Sequence, residues 1–500
     1  MNAMPSSCRH PCSAHRFVLS LALGALAGCA AGPDYVRPAI PVNAGYAHQP
    51  MLAAREAGRP EPPLDAWWSG FDDPELDRIV GRALAQNLDL AAALARVEQA
   101  RAAAREAGAR LAPQGSLDGQ AAREYQSTKG TLGEIASNLP GYRRTQTLET
   151  LGAGASWELD LAGGLHRGAE AARAEAEAAE ASQDGVRVMV AAEAADSYFQ
   201  VRGAQERLRL AQQQIDTEAQ LVDLVGLRLA GGLATARELA QARALWLQAR
   251  ATLPPLRIAL AQQLHRLDVL MGVTPGAYAA ELQAPGADFS VPAVGADGGP
   301  QALLRRRPDV IAAERRLAAS NARIGVAMAE YYPKVSLGGL LGVESLHSGS
   351  LFSSAAFQPQ AVLGLHWRLF DFGRVDAEVA QARGANAEAL AQYRQSMLRA
   401  TEDVENAMVS LAELETQHRE LRDEVAAHQQ ARDAAQDAYK GGAASLLDVL
   451  EEDRQLLASR DQLARVHADD ARAAVSLFRA LGGGWTGSAV QPTEGAVAGR

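Results

Sequence analysis

The sequence predicts a mainly α-helical chain that is built as a tandem structural repeat and carries two pairs of membrane-type β-strands. Long segments rich in Ala, Glu, Arg and Gln have apolar residues at three-to-four spacing, which is typical of helices. Similar residues recur at a fixed offset, and short segments with alternating apolar residues precede each long helical segment. Of the 500 residues, 48% are apolar but only 5% aromatic, as in chains of long packed helices.

Charge and hydropathy exclude two classes of protein. The chain has 49 Lys and Arg residues against 59 Asp and Glu residues, which gives a net charge of −10. This acidic balance argues against a nucleic-acid-binding surface, which needs clustered basic residues. A mean hydropathy of −0.14 excludes a bundle of membrane-spanning helices, because each such helix needs about 20 apolar residues.

The N-terminus predicts the compartment. An apolar run from Phe17 to Ala27 follows several basic residues and ends in Leu26-Ala27-Gly28-Cys29, which is typical of a secretory signal over residues 1–28. A Cys directly after Ala-Gly resembles the bacterial lipoprotein processing site, where Cys29 is lipidated and becomes the mature N-terminus. Cys8 and Cys12 lie in the signal, so lipidation explains a single remaining thiol better than a disulfide does. The alternative is an ordinary signal followed by a chance Cys.

The remaining chain divides into five predicted segments. They are a lipidated Pro/Gly/Ala-rich tether at 29–65, a first repeat at 66–272, an equatorial linker at 273–300, a second repeat at 301–485 and a disordered tail at 486–500. The first repeat contains a helix that starts near Asp73, a strand pair at about 115–160 and a long helical hairpin at about 166–272. The second repeat contains a helix, a strand pair at about 334–370 and a long helical hairpin at about 374–481.

The repeat is visible as residue matches between the two halves. Trp157-Glu158-Leu159 matches Trp367-Arg368-Leu369, and Gly231-Gly232 matches Gly441-Gly442, both at an offset of 210 residues. Asp89 and Pro113 match Asp309 and Pro333 at an offset of 220. The ten-residue difference falls inside the first strand pair, which therefore has the longer connection. The chain consists of two copies of one unit.

The strand segments predict a membrane β-barrel with a polar lumen. In the second copy Leu363 and Leu365 alternate with His366 and Arg368, so one face is apolar and the other can carry charge. We assign His366 and Arg368 to the barrel lumen. The competing interpretation is a soluble, half-buried sheet. Four strands cannot close a barrel, and open edges are not tolerated in lipid, so the chain is expected to oligomerise.

Each Gly-Gly pair predicts a turn between two helices, because glycine suits the left-handed conformation after a helix ends. Thr235 and Ser445 follow these turns, with Glu238 and Asp448 three residues later, which is the capping-box pattern. Capping does not explain Glu451, which lies three residues after Asp448 on the same helix face.

Nothing in the sequence indicates catalysis. Nucleophile elbows, phosphate-binding loops, paired Cys motifs and zinc-binding helix motifs are absent, and the histidines are scattered without ligand spacing. We therefore expect a protein that is not an enzyme and binds no cofactor or metal, apart from the covalent lipid.

The chain resembles the TolC-like outer-membrane efflux proteins, in particular the lipoprotein (NodT-like) branch that serves resistance-nodulation-division (RND) pumps. The segments that carry the resemblance are Leu26-Ala27-Gly28-Cys29, Pro33-Asp34-Tyr35-Val36-Arg37-Pro38, Trp67-Trp68 with Phe71, Asp73, Pro74 and Leu76, Asn87-Leu88-Asp89-Leu90, Leu304-Arg305-Arg306-Arg307-Pro308-Asp309-Val310, Ala313-Glu314-Arg315, Ala322-Arg323-Ile324-Gly325 and Ala480-Leu481-Gly482-Gly483-Gly484-Trp485.

This resemblance implies a homotrimer whose chains form one 12-stranded β-barrel, continuous with a long periplasmic α-helical barrel. By match to the family, Leu447, Asp448 and Glu451 form the periplasmic pore constriction. Tyr439 and Glu238 resemble a hydrogen-bonded latch that keeps it shut, with Arg454 close to Glu451. The tips that would dock a periplasmic adaptor are Gly231, Gly232, Leu233, Gly441 and Gly442.

The function implied by the resemblance is a passive outer-membrane duct of a tripartite efflux pump, through which drugs or other small molecules leave the periplasm. The partners would be the adaptor, an inner-membrane RND-type pump and outer-membrane lipid, and no nucleic acid. One alternative is the outer-membrane duct of a type I protein-export system. A second alternative is a structural coiled-coil lipoprotein without a pore, which the strand pairs before each long helix disfavour.

Overall fold

The computed structural model describes residues 30–39, 43, 45–53, 61–282, 289–295 and 299–486. Contacts divide the described residues into two units. The sheet unit comprises those within Met1–Pro38, Glu98–Glu177 and Glu314–Gln392, and the hairpin unit comprises those within Ala39–Val97, Ala178–Ala313 and Tyr393–Arg500.

Helices and strands alternate in the order that the tandem repeat predicts. In chain order the elements are α1 (Gln49–Ala53), a 3-10 helix (Leu64–Phe71), α2 (Pro74–Gln86), α3 (Leu88–Ala109), β1 (Gln114–Tyr125), α4 (Thr131–Ala136), β2 (Thr145–Leu159), α5 (Gly164–Ala230), α6 (Ala236–Ala251), α7 (Leu253–Leu270), α8 (Gly299–Arg306), α9 (Pro308–Ala329), β3 (Lys334–Ser345), two short 3-10 helices (Ser348–Ser350 and Ser354–Ala356), β4 (Phe357–His366), α10 (Arg374–Lys440) and α11 (Leu446–Ala480).

The sheet unit is built on an antiparallel sheet with the strand order β1-β2-β3-β4. Gln114 pairs with Ser156, Leu159 pairs with Val335, and Val335 pairs in turn with Leu365. The two repeats therefore meet at the β2–β3 pair, whereas β1 and β4 are the edges of the described sheet. Both edges present unpaired backbone groups in a single chain.

The register gives the sheet one apolar and one polar face, because residues paired across strands share a face. The apolar face carries Leu117, Leu151, Trp157, Leu337, Leu341, Leu363 and Leu365. The opposite face is mostly polar and carries Ser116, Asp118, Gln120, Thr150, Ser156, Ser336, Glu344 and Gln360, with several glycines and with Leu148, Leu340 and Val362 between them. The alternation seen in the sequence is therefore a tendency of the sheet and not a strict rule, since the apolar face also carries Arg123 and Glu149.

Residues 30–38, which belong to the predicted extended tether, are hydrogen-bonded to other parts of the sheet unit. The Ala31 amide donates to the Ala162 carbonyl at 2.7 Å, and Arg167 pairs with Asp34 at 2.5 Å. The Tyr35 hydroxyl donates to Glu314 at 2.7 Å. Polar contacts therefore fix this segment, and its composition alone does not reveal them.

The core of the hairpin unit contains a cluster of aromatic rings. Trp67 stacks on Phe478 with ring centres 5.2 Å apart, and Phe71 packs against Phe199 at 4.8 Å. Buried Tyr198 beside them donates a hydrogen bond to Asp73 and accepts one from Arg202. Although aromatic residues are rare in the chain, here they join the segment before α2 to the long helices.

The longest helices are α5 and α10, each of 67 residues, which corresponds to roughly 100 Å at 1.5 Å per residue. The returning limb of the first hairpin differs from the predicted continuous helix, because it breaks at Thr252 into α6 and α7. Pro254 and Pro255 follow the break and have no amide hydrogen for the helical ladder. In the second hairpin α11 runs without a break.

None of the described helices is both long enough and apolar enough to cross a membrane.

Candidate gate at the hairpin tips

Both long helices end in the same way at their Gly-Gly turns. Gly232 (φ 71°) and Gly442 (φ 78°) adopt the left-handed conformation that favours glycine. The Leu233 amide donates to the Arg228 carbonyl at 2.7 Å, and the Ala443 amide donates to the Ala438 carbonyl at 2.8 Å. These are the long-range bonds of a Schellman motif, so each helix stops sharply and the chain reverses.

Each returning helix restarts with a capping box, as the sequence predicts. The Thr235 hydroxyl lies 2.8 Å from the Glu238 carboxylate, and the Glu238 amide lies 3.2 Å from the Thr235 hydroxyl oxygen. At the second tip the Ser445 amide and hydroxyl donate to Asp448 at 2.9 and 2.8 Å. Glu238 and Asp448 therefore have structural roles at the start of α6 and α11.

A shared apolar core holds the two tips together. Its buried members come from all four tip helices, which are α5, α6, α10 and α11, so the two hairpins pack directly against each other here. These members are Leu221, Val225, Ala242, Tyr439, Leu446, Val449 and Leu450. Separating the two hairpins here would therefore expose apolar side chains to water.

The opposite face of the first turns of α11 is exposed and acidic. Leu447, Asp448, Glu451 and Arg454 are all exposed on this face, while Leu446 and Val449 point into the tip core. Helical spacing places positions 447, 448, 451 and 454 along one stripe. The structure thus brings together the three residues that the resemblance assigns to the constriction.

Both carboxyls of this stripe are held in the ionised form within a single chain. The Ser445 hydroxyl and amide lower the pKa of Asp448 by donating hydrogen bonds to the carboxylate. Arg454 lies 2.6 Å from Glu451, which agrees with the i, i+3 spacing, and with Gln455 it lowers the pKa of Glu451. Each chain therefore presents two negative charges here at neutral pH, with one positive charge beside them.

The structure differs from the predicted hydrogen bond between the Tyr439 and Glu238 side chains. Among the described residues no hydrogen bond joins these two side chains, and Oε2 of Glu238 accepts from the Thr235 amide and hydroxyl. Instead the Arg228 guanidinium lies over the Tyr439 ring, 4.3 Å from its centre. The hydrogen bonds from Thr235 lower the pKa of Glu238, and the charge of Arg228 adds to this effect.

Sequence reasoning missed Arg228, which interacts with both latch residues. It lies at the end of α5, three residues before Gly231, and it contacts a ring on α10. A cation over an aromatic face is a favourable contact between two helices. The sequence did show that Arg228 is a basic residue in the last turn of a helix. A basic residue at that position is usually explained by its favourable interaction with the helix dipole alone.

A buried layer of charged groups was also missed. Glu218 on α5 is fully buried, and Gln214 donates to its Oε1 at 2.5 Å while its Oε2 has no hydrogen-bond partner among the described residues. Asp453 on α11 is buried too and pairs with Arg432 on α10 at 2.9 Å. The signal for Glu218 was its place on the apolar stripe of α5, three and seven residues before Leu221 and Val225.

Burial makes Glu218 a weaker acid than an ordinary glutamate, because it raises the pKa of the carboxyl group. Removal from water, together with nearby Asp453, raises its pKa to about 7 against the opposing effects of Gln214 and Arg432. Burial also raises the pKa of Asp453, and Arg432 counteracts this effect. The layer therefore places two buried carboxyls with raised pKa values beside a single guanidinium, and Glu218 changes its protonation near neutral pH.

The two residues assigned to the barrel lumen have different positions. His366 is the last residue of β4 and pairs with Lys334, on the polar face of the sheet. Arg368 lies beyond the end of the strand, 3.0 Å from Glu330 and 3.3 Å from Glu378, which corrects its placement on β4 and leaves its assignment to the lumen a prediction. The sequence prediction continued the alternation of apolar and polar residues for two positions past His366, the last paired residue of the strand.

Cys29 and the predicted signal lie outside the described residues, as do residues 54–60, 283–288, 296–298 and 487–500 of the predicted tether, linker and tail. Within the ranges that the structure describes, no group of three or more His, Cys, Asp or Glu residues is arranged to hold a metal ion.

Comparison with known proteins places this architecture in one family. The sequence matches the family described as outer membrane efflux protein twice, over residues 79–273 and 299–483. The two matches confirm the tandem repeat that the 210-residue offset predicts. They also account for most of the chain.

Individual relatives match over almost their whole length. The chain is 34% identical over 476 residues to the pyoverdine export outer membrane protein OpmQ of Pseudomonas putida, which covers 94% of this chain and 97% of that protein. It is 29% identical over 477 residues to the cation efflux system protein CusC of Escherichia coli, covering 95% and 99% of the two chains.

Solved structures confirm the predicted fold class. The outer-membrane channel OprN aligns with a TM-score of 0.82 at 31% identity, covering 91% of this chain and 100% of that chain. A structure of CusC aligns with a TM-score of 0.78 at 27% identity and the same coverage. The chain therefore belongs to the outer membrane efflux protein family, and it is an efflux channel of the bacterial outer membrane.

Proposed function

We propose that three copies of this chain form one closed duct through the outer membrane. The observation that carries the proposal is the sheet itself, because one chain cannot shield its two open edges and its polar face from lipid. Because the strand number per chain is even, β4 of one copy runs antiparallel to β1 of the next. Copies can therefore be added until the sheet closes.

Strand length supports a membrane span for this sheet. β1 and β3 each contain 12 residues, which corresponds to roughly 40 Å at about 3.3 Å per residue. Tilted by about 40°, such strands rise roughly 30 Å, the thickness of the hydrocarbon core. Three chains give 12 strands, which suffices for a barrel with an open lumen. His366 would line this lumen at its periplasmic end.

The hairpin tips are proposed to be the periplasmic gate. Threefold repetition would bring Leu447, Asp448 and Glu451 of each chain around one opening, as an apolar ring and acidic rings. The Arg228 cation over the Tyr439 ring, with Glu238 nearby, is proposed to be the latch in place of a direct hydrogen bond. The turns at Gly231–Leu233 and Gly441–Gly442 are the surfaces proposed to dock a periplasmic adaptor.

Transport through this duct is proposed to be passive. The relatives are channel proteins, and we infer that this chain is likewise not an enzyme and needs no cofactor. Energy would come from an inner-membrane RND-type pump. The adaptor would open the gate by binding the open tips more tightly than the closed ones, because only differential affinity shifts such an equilibrium.

We infer that the cargo is a small solute. The names of two relatives specify pyoverdine export and cation efflux, and selection of the cargo would reside in the pump. A lipoprotein-type N-terminus supports this assignment over protein export, whose ducts usually lack that site.

Cys29 is proposed to carry the lipid that makes it the mature N-terminus. Replacing it with Ser is expected to leave an unprocessed precursor that incorporates no labelled palmitate during growth. Labelling that persists in Cys29→Ser would contradict the assignment.

The assembly is tested by native mass spectrometry of the detergent-extracted protein, combined with conductance in planar bilayers. The expected result is a mass three times that of one mature chain, with conductance confined to this species. A purified monomer that conducts ions would overturn the proposal, because a lone four-stranded sheet cannot line a pore in lipid.

A further inference from the structure

The two strand connections at the far end of the sheet differ in length. The helices α5 and α10 follow β2 and β4, so the β1–β2 and β3–β4 connections lie at the opposite end of the sheet. The first connection spans residues 126–144, whereas the second spans only residues 346–356. With the long helices in the periplasm, as proposed above, both connections face the cell exterior.

The end of the first hairpin is basic, although the whole chain has a net charge of −10. Residues 123–144 contain two acidic residues, Glu124 and Glu134, and four basic ones, which are Arg123, Lys129, Arg143 and Arg144. The sequence of the second connection contains no Lys, Arg, Asp or Glu. The positive charge is therefore specific to the first repeat, whose connection is the longer one.

Alternation along β1 separates the charges of this edge between the two faces of the sheet. Arg123 is exposed and shares the apolar face with Leu117 and Tyr125. Glu124 lies on the opposite, mostly polar face. In the proposed barrel the cation is therefore on the lipid side and the carboxylate is on the lumen side.

Backbone and ring contacts hold Arg144 at the same edge. The Gln126 amide donates to the Arg144 carbonyl at 2.7 Å, which adds one pair beyond Tyr125 and Thr145. The Arg144 Nε donates to the Gln126 carbonyl at 3.3 Å, and the guanidinium carbon lies 4.4 Å from the centre of the Tyr125 ring. Because this ring follows Arg123 on the same face, both arginines lie on the lipid side.

The described part of the chain does not neutralise these cations. None of its carboxylates lies within ion-pair distance of Arg123, Arg143 or Arg144, and all three side chains are exposed. Glu149, which shares the face of Arg123, accepts instead from the Ser348 hydroxyl at 2.7 Å. The hydrogen bond of Arg144 uses only its Nε, so its terminal nitrogens are available to a ligand.

A neighbouring copy would add no carboxylate at this edge. In the proposed barrel β4 of the next copy lies beside β1. The residues of β4 that share the apolar face at the matching end are Phe357, Pro359 and Ala361, and all three are uncharged. The basic edge would therefore persist in the oligomer.

We propose that Arg123, Arg143 and Arg144 bind the phosphate groups of lipopolysaccharide, the glycolipid that forms the outer leaflet of the outer membrane. This inference rests on the proposed membrane span of the sheet. A guanidinium group is always charged in proteins and can donate two parallel hydrogen bonds to one phosphate. When it stacks on a ring, as Arg144 does, its edge keeps the N–H groups that make such bonds.

The position of this edge favours a lipid phosphate over a free anion. The face that carries Arg123 continues through Leu117 and Leu151 toward the middle of the sheet, so a ligand here meets apolar surface as well as cations. Inorganic phosphate has no apolar part, and its attraction to exposed cations is screened by salt. A phosphorylated amphiphile matches both parts of the surface.

The test compares two lipids for binding to the full-length oligomer in detergent, measured by native mass spectrometry. One is lipid A with both of its phosphate groups, and the other is the same lipid after both phosphates are removed. The variants are Arg123→Gln/Arg144→Gln and, with the strands unchanged, Arg143→Gln/Arg144→Gln. The matched control Arg96→Gln/Arg105→Gln removes the same charge from exposed positions of α3. Bilayer conductance of each preparation reports assembly of the duct.

We expect wild type and control to bind lipid A about tenfold more tightly than the dephosphorylated lipid, and both variants to lose most of this preference. Equal binding of the two lipids by the wild type, or an unchanged preference in the variants, would overturn this inference alone if the oligomer still conducts. An equal loss in the control would also overturn it, because the attraction would then be unspecific.

Inorganic phosphate distinguishes the two possible sources of the ligand. It should not displace lipid A at millimolar concentration, and displacement would overturn the inference because the site would then bind a soluble anion. A wild-type oligomer that does not conduct would refute the duct itself, and the inference with it.

Discussion

Glu218 makes the stability of the folded chain depend on pH. Its folded-state pKa of about 7 exceeds the ordinary value of 4.5, because burial disfavours the charged form. Between these values the folded chain retains a proton that the unfolded chain has lost. Stability should therefore fall as pH rises from about 4.5 to 7 and then level off, with a total change of roughly 3 kcal/mol per chain.

Glu218→Gln tests this coupling because it keeps the shape of the side chain and removes its charge. The variant should lose this part of the pH dependence and be the more stable protein at pH 8. Thermal unfolding between pH 5 and 8 measures the effect, with Glu413→Gln at an exposed position of α10 as the matched control. Parallel curves for wild type and Glu218→Gln would contradict the assigned role.

Single residues also mark the limits of what the sequence predicts. The stripe of Leu447, Asp448 and Glu451 and the Glu451–Arg454 pair follow from helical spacing, so they could be placed in advance. Arg228 could not, because its contact with Tyr439 joins two helices that lie more than 200 residues apart in the sequence. Such contacts depend on how the hairpins pack, and one sequence contains no direct signal for this.

At the scale of elements, the two hairpins are joined by the apolar tip core and by the Arg228 contact with Tyr439. Arg228→Gln removes the cation and should shift the tips toward the open state, which raises basal conductance by about two- to fivefold per contact. Tyr439→Phe keeps the ring over which Arg228 lies, so it should change conductance little. Planar-bilayer recordings of both variants test the latch.

The outcome of this pair separates two mechanisms. A large rise in Tyr439→Phe together with no change in Arg228→Gln would show that the hydroxyl acts as the latch and that the cation is incidental. The structure predicts the opposite order, because the contact between Tyr439 and the first hairpin is made by its ring with Arg228.

The elements that were easiest to predict from the sequence are those whose residues alternate between two environments or need a special backbone conformation. The strands have an apolar and a polar face, so their period of two appears in the sequence and their positions agree with the structure to within a few residues. The ends of α5 and α10 need a residue that tolerates positive φ, and the Gly-Gly pairs reveal this. The break at Thr252 could also have been read from Pro254-Pro255.

Segments that depend on distant partners were not predictable. Residues 30–38 resemble a linker in composition, yet Asp34 and Tyr35 are fixed by Arg167 and Glu314, more than 130 residues away. Loop-like composition reports local conformational preference and does not exclude docking onto another part of the chain.

For the whole molecule, we expect a passive channel whose periplasmic opening is acidic and is formed by the hairpin tips of several chains. Each chain exposes Asp448 and Glu451 in ionised form, so a trimer would place up to six carboxylates around one opening. Such a mouth concentrates cations and repels anions. The closed or partly open channel should therefore be cation-selective, and multivalent cations should block it.

Single-channel recording of wild type, Asp448→Ala/Glu451→Ala and Asp448→Asn tests this claim most directly. The double variant should require about tenfold more multivalent cation for the same block and should lose most cation selectivity, because the local attraction is removed. Asp448→Asn retains the helix cap, since Asn caps about as well as Asp, and it should give an intermediate block with normal assembly. Unchanged block and selectivity in the double variant would contradict the account and place the constriction elsewhere.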